Sequence, residues 1–225
     1  MFYCLNFTGH RDLLLSKTME AMFRHHSVQR VAIFKRIWCE DYGVWGNGAG
    51  WEASLHKVQI LRQFEIEEND FLVCIDSDVL FFTPEVTKFV NESDGEFMGI
   101  KNEITVPTLQ GDLNHIGGCL TFIKGNILKK INAFTDEQLF HVRNEFKAVD
   151  LCENEDVVIS YLAQRVGAKI VGLPEYLWSG GIEQDLRNGC PKSFYHVNYS
   201  PTEFLGIPVT GKWDIPKVLT QKEFI

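Results

Sequence analysis

The sequence is short of the features that announce several common protein classes. It has six cysteines. Cys4, Cys39, Cys74, Cys119, Cys152 and Cys190 are irregularly spaced, and no two form a Cys-x-x-Cys pair. That spacing argues against zinc sites of the usual kind. Cys4, Cys74 and Cys119 lie in apolar runs, the setting of buried free thiols in a reducing compartment. No apolar run approaches the roughly 20 residues that a bilayer-spanning helix needs. The opening MFYCLNFTGHRD has no basic segment followed by a longer apolar one, so it is not a secretory signal. A soluble, cytoplasmic protein with no membrane span is expected. Positive charge is also scarce, with 22 Lys and Arg against 30 Asp and Glu and a net charge of −8. That balance argues against nucleic-acid binding. An anionic small ligand stays compatible with it, because a metal ion supplies positive charge locally.

What is present is ordinary globular material. The 225 residues are 45% hydrophobic and 23% charged. A chain of this length buries a sizeable core without disulfides. It reads as one domain over 1–225, with halves at 1–100 and 101–225, the second including the tail. Apolar runs predict strands at 2–7, 28–38, 71–75, 96–100, 117–125, 168–173 and 193–199. Helical spacing predicts helices over 10–24, 52–64, 83–93, 126–134, 136–146 and 153–167, the third opening on a Thr83 cap with Pro84 behind it. The segments 41–51 and 102–115 and the Pro- and Gly-containing tail from Ser200 read as loops. Strands alternating with helices imply an α/β fold with a mostly parallel central sheet flanked by helices. Ligands of such sheets bind at the carboxyl ends of the strands.

One stretch stands out. DFLVCIDSDVLFF, from Asp70 to Phe82, places Asp76 and Asp78 inside an apolar run. Ionised carboxylates are costly to bury unless they are paired or bind a metal. A solvated strand-end turn explains an isolated Asp-x-Asp. It explains poorly one that re-enters an apolar run at Val79–Phe82. A divalent cation does better, and hard oxygen ligands suit Mn²⁺ or Mg²⁺ bound with substrate phosphates.

Two enzyme classes place Asp-x-Asp after a buried strand. Haloacid-dehalogenase-type phosphatases want Thr or Val two residues after the second aspartate, where this chain has Leu80. The chain instead resembles, along most of its length, the nucleotide-sugar-dependent glycosyltransferases of the Rossmann-like GT-A fold, close to their glycogenin- and galactosyltransferase-like members. FLVCIDSDVLFF looks like their metal-binding motif. Lys57, HIGGCLTFI (His115–Ile123), NEDVVIS (Asn154–Ser160), FYHVNYS (Phe194–Ser200) and GKW (Gly211–Trp213) follow the family's order.

The resemblance implies a UDP-sugar donor, a glycan or glycoprotein acceptor, and Mn²⁺ or Mg²⁺. Asp78, His196 and Asp76 would ligate the metal. Thr8, Gly9 and Arg11, after the first strand, would meet the nucleoside, with Lys57, Asp76, Ser77, Gly117, Gly118 and Lys212 also on the donor. Gly117 and Gly118 serve equally well as a turn, His196 as a packed histidine and Lys57 as a surface lysine. Trp45, Trp51 and Trp178 are candidates for sugar stacking or for packing. The Glu155–Asp156 pair resembles that of inverting members, with Asp156 as base. Asp150 and Glu153 are rival bases, and a retaining, glycogenin-like course is the alternative. Other readings are a catalytically inactive sugar-nucleotide-binding module and a sugar nucleotidyltransferase, which lacks its Gly-rich basic loop here. A small viral or bacterial enzyme, the former acting in host cytoplasm, or one domain of a longer chain, fits the same pattern.

Overall fold

The computed structural model describes residues 1–38, 50–102, 106–108 and 111–225. Trp45 and most of the expected 41–51 loop lie outside the described residues, as does Cys39. The order is β1 (Phe2–Thr8), α1 (Leu13–His26), β2 (Val31–Trp38), α2 (Gly50–Leu61), β3 (Phe71–Asp76), β4 (Val79–Phe81), α3 (Glu85–Glu92) and β5 (Phe97–Lys101). Then come β6 (Val106–Thr108), β7 (Gly111–Leu113), β8 (Ile116–Lys124), α4 (Gly125–Asn132), α5 (Asp136–Ala148), α6 (Glu155–Arg165) and β9 (Ile170–Gly172). The chain closes with β10 (Trp178–Ser179), α7 (Ile182–Arg187), β11 (Phe194–His196), β12 (Glu203–Phe204), β13 (Ile207–Pro208) and α8 (Ile215–Gln221). No described helix is long and apolar enough to cross a membrane.

The architecture is the expected mixed α/β one. The chain forms two compact units, one of Met1–Glu40, Cys74–Ser93 and Leu173–Ile225 and one of Asp41–Val73 and Asp94–Gly172. In the first unit β1 lies between β2 and β3, and β1 and β2 are parallel. A second small sheet there runs β10-β11-β4, with β4 and β11 antiparallel. Its core is a chain of rings: Phe2 on Phe23 at 6.0 Å, Phe23 on Phe81 at 4.8 Å, and Phe81 on Phe194 at 5.9 Å between centroids. All four rings are fully buried, each worth about 2–3 kcal/mol over exposure. In the second unit β8 lies between β3 and β5, β5 and β8 are antiparallel, and β9 flanks β5 in parallel. Trp51, Phe146 and Tyr161 pack edge to face in its helical layer. Trp51 is thus a core residue of that unit.

The apolar residues after Asp78 form a strand of their own, β4. Three local expectations are corrected. Helix α3 begins at Glu85, and Thr83 makes no side-chain cap. The Val86 N–H donates instead to Ser193 Oγ at 2.9 Å, and that hydroxyl donates to the Thr83 carbonyl at 2.9 Å. A capping partner a hundred residues away cannot be seen in local sequence. The segment read as a loop over 102–115 contains the β6–β7 pair. The tail is more regular than its prolines and glycines suggest. Leu205 and Gly206, both at positive φ, join β12 to β13 as a tight hairpin. Pro216 stands in the first turn of α8, where proline starts a helix and does not break one. That helix buries Ile215, Val218 and Leu219.

Candidate functional site

In the first unit, β3 delivers Asp76 at its carboxyl end. The chain turns at Ser77 and Asp78 and enters β4. The turn is pinned from β1. Ser77 Oγ donates to the Phe7 carbonyl at 2.9 Å, and Asn6 Nδ2 donates to the Ile75 carbonyl at 2.7 Å. Asn6 is completely buried, and its Oδ1 accepts from Ser16 Oγ at 2.5 Å. A buried amide is stable only when satisfied in this way. Ser77, expected at the donor, thus spends its hydroxyl hydrogen on β1.

Register brings His196 to the aspartates. On the β4–β11 ladder His196 faces Val79, and the Val197 N–H donates to the Asp78 carbonyl at 2.9 Å. His196 Nε2 lies 3.5 Å from Asp78 Oδ1. Ligand atoms of Asp76, Asp78 and His196 all fall within 4.8 Å of one another, and all three residues are part-buried. Lys212 Nζ donates to Asp78 Oδ2 at 2.5 Å. Burial pushes the Asp78 carboxyl up, but the hydrogen bonds and positive charge of His196 and Lys212 outweigh it and hold the group below its ordinary value. Two carboxylates and an imidazole can hold a divalent cation, and the ammonium on Asp78 shows that this carboxylate attracts a cation.

The other residues expected at the donor in this unit lie around the end of β1. Thr8 is buried. A Cβ added to Gly9 would meet nothing within 4 Å, so packing does not demand glycine there. The Arg11 guanidinium stacks over the Trp213 ring, 5.9 Å from its centroid, and Trp213 Nε1 donates to Asp12 Oδ1 at 3.0 Å. The Gly-Lys-Trp segment is thereby fixed to the start of α1.

The second unit gathers Lys57, Gly118, Glu155 and Asp156. Lys57 is 5% exposed, not a surface lysine, and its Nζ lies 3.8 Å from Glu155 Oε1. A Cβ on Gly118 would stand 3.1 Å from Glu155 Oε1 and 3.2 Å from Asp156 Cβ. Gly118 therefore makes room for the two acidic side chains. Gly117 has only ordinary contacts. His115 Nε2 lies 3.0 Å from Asp156 Oδ2. Burial raises the Asp156 carboxyl, but His115, the charge of Lys57 and the Val157 N–H outweigh it and hold the group below its ordinary value. Of the rival bases, Glu153 is engaged by Arg143 at 3.4 Å, and Asp150 is an exposed residue at positive φ. Trp178 is half-buried in the first unit.

Asn6, Asn102 and His115 are residues that the sequence reading missed. Asn6 had a signal, a lone amide in the apolar strand FYCLNF. His115 opens the HIGGCLTFI segment, whose glycines are the more conspicuous feature.

The fold is that of the GT-A glycosyltransferases. The glycosyltransferase GlyE of Streptococcus pneumoniae TIGR4 superposes with a TM-score of 0.52 at 10% identity, over 87% of this chain and 55% of that one. Mouse xyloside xylosyltransferase 1, in its apo form, superposes with a TM-score of 0.52 at 8% identity, over 88% of this chain and 98% of that one. This chain thus spans about half the length of GlyE and nearly all of the mouse chain. No protein-family model and no curated protein matches the sequence.

Proposed function

We propose that the protein is a metal-dependent glycosyltransferase that moves a sugar from a UDP-sugar to a hydroxyl of a glycan or glycoprotein. The observation that carries this reading is the convergence of Asp76, Asp78 and His196 in one unit, on a fold shared with glycosyltransferases. Asp78, His196 and Asp76 would hold Mn²⁺ or Mg²⁺. When bound, the metal supplies Lewis-acid neutralisation of the departing diphosphate. Lys212, paired with Asp78 here, would add an ammonium for the same oxygens once the metal takes that carboxylate. Thr8, Gly9 and Arg11 receive the nucleoside, the glycine by open backbone. The family resemblance also assigns Ser77 of this unit, and Lys57, Gly117 and Gly118 of the other, to the donor.

Inversion is the favoured course, with Asp156 taking the proton of the acceptor hydroxyl as the sugar carbon is attacked. Asp156 is held ionised, the state a base requires, whereas Glu155 is engaged by Lys57. The five described cysteines are free thiols, which supports action in a reducing compartment such as the cytoplasm.

The test is a hydrolysis and transfer screen of UDP-sugars with Mn²⁺. Turnover of at least one donor, lost in Asp78→Ala, is expected. Failure of UDP to bind in the presence of Mn²⁺ would overturn the reading. Binding without any turnover would leave a sugar-nucleotide-binding module.

A further inference from the structure

Asp156 is not an isolated carboxylate. Asn102 Nδ2 lies 2.8 Å from His115 Nδ1, and His115 Nε2 lies 3.0 Å from Asp156 Oδ2. The three side chains form a line from the end of β5, through the β7–β8 connection, to the first turn of α6. All three belong to the second unit.

The backbone around His115 is clamped on both sides. The Asn102 N–H donates to the His115 carbonyl at 3.0 Å. Ser160, one turn along α6 from Asp156, accepts from the Ile116 N–H at 3.1 Å and donates to the Ile116 carbonyl at 3.4 Å. His115 is 9% exposed. Its Nε2 is shielded from solvent and falls short of full hydrogen-bond geometry. The Asp156 Oδ2 is its polar neighbour at 3.0 Å.

An amide that donates to Nδ1 leaves the imidazole proton on Nε2. That proton faces Asp156. We propose that His115 is a positioning residue, with Asn102 fixing its ring and its Nε2 edge orienting the Asp156 carboxylate. The inference rests on the reading of Asp156 as the group that takes the acceptor proton. The arrangement fixes one carboxylate oxygen and leaves the other to accept from the Val157 N–H at 2.9 Å and to face an incoming hydroxyl. Among the described residues Lys57 on α2 also acts on Asp156, more weakly than His115 does, and its Nζ lies 3.8 Å from Glu155 beside it.

The experiment compares wild type with His115→Phe, His115→Gln and Asn102→Ala. The Asp156 carboxyl is titrated by carbon-13 NMR, and donor turnover is followed against pH. In His115→Phe the Asp156 midpoint is expected to rise and the acid limb of kcat/KM to rise with it. At neutral pH kcat should fall on the order of tenfold or more, with donor KM little changed. His115→Gln, which keeps an N–H donor, should recover part of both effects. Asn102→Ala should move the midpoint in the same direction by less, and it serves if His115→Phe does not fold.

An Asp156 midpoint identical in folded variants and wild type would overturn the proposal. So would equal losses in the Phe and Gln variants. A midpoint that moves while the acid limb stays put supports the positioning role and overturns the assignment of Asp156 as base.

Discussion

Lys212 Nζ and Asp78 Oδ2 are 2.5 Å apart, although 134 residues separate them in the chain. Lys212 occupies the carboxylate that was assigned to metal, not an open position awaiting phosphate. The lysine and a divalent cation therefore compete for one oxygen. Lys212→Ala should raise the affinity for Mn²⁺ in the absence of nucleotide, on the order of tenfold. The same variant should bind UDP more weakly once Mn²⁺ is present. Calorimetric titration reads both arms, and an unchanged Mn²⁺ affinity would sink the competition.

The pH response follows from the same pair. A carboxyl held below its ordinary value stabilises the fold above its unfolded value and loses that contribution as pH falls through the folded one. Asp78 and Asp156 are both held low. Stability is expected to be level at neutral pH and to decline as pH drops below about 4, the ordinary carboxylate region. Urea denaturation of wild type and Asp78→Asn at pH 6 and pH 3 tests this. The variant should show the smaller difference between the two pH values.

Gly9→Ala separates binding from folding. Nothing lies within 4 Å of the added methyl. Stability should hold or rise by about 0.4–1 kcal/mol, because alanine restricts the unfolded chain. If the backbone there meets the donor, KM for the nucleotide sugar rises severalfold while kcat is nearly kept. Unaltered kinetics would remove Gly9 from the donor contacts.

Gly118→Ala places strain on the other unit. The methyl would press on Glu155 and Asp156 at 3.1–3.2 Å, closer than comfortable packing allows. Turnover is expected to fall well over tenfold while the melting temperature drops by only a few degrees. A variant with full activity would show that these carboxylates tolerate displacement.

How much of this was legible beforehand depends on whether the determinant is local. Apolar runs gave β1, β3 and β8, and Asp76 stood out because charge in a buried strand is costly. The grouping of His196 with the aspartates came only from resemblance, since it depends on which residue of β11 faces Val79. The tail misled because its prolines and glycines suggest a loop, whereas Pro216 stands in a first turn, where proline starts a helix. The roles of Asn102 and His115 were invisible for a related reason. Neither has a local pattern, and their meaning comes from a line of three side chains drawn from β5, a connection and α6.

Ser193→Ala is a stability test of that long-range logic. The residue accepts from Val86 N–H and donates to the Thr83 carbonyl. Its loss should cost about 1–2 kcal/mol, the usual worth of an N-cap, seen as a lower urea midpoint with unchanged slope. No loss would mean that water replaces the hydroxyl.

The Ser193 clasp also has a mechanical meaning. The β4–β11 ladder has three residue pairs, and the Phe82 N–H donates to the Ser193 carbonyl just beyond its end. A slip of one residue would turn His196 to the opposite face of the strand and leave Val197 or Tyr195 near the aspartates. The serine side chain is fastened at once to the Thr83 carbonyl and to the Val86 N–H, so it adds to the bonds that hold β11 at the setting in which an imidazole, and not an apolar side chain or a phenol, stands beside the aspartates.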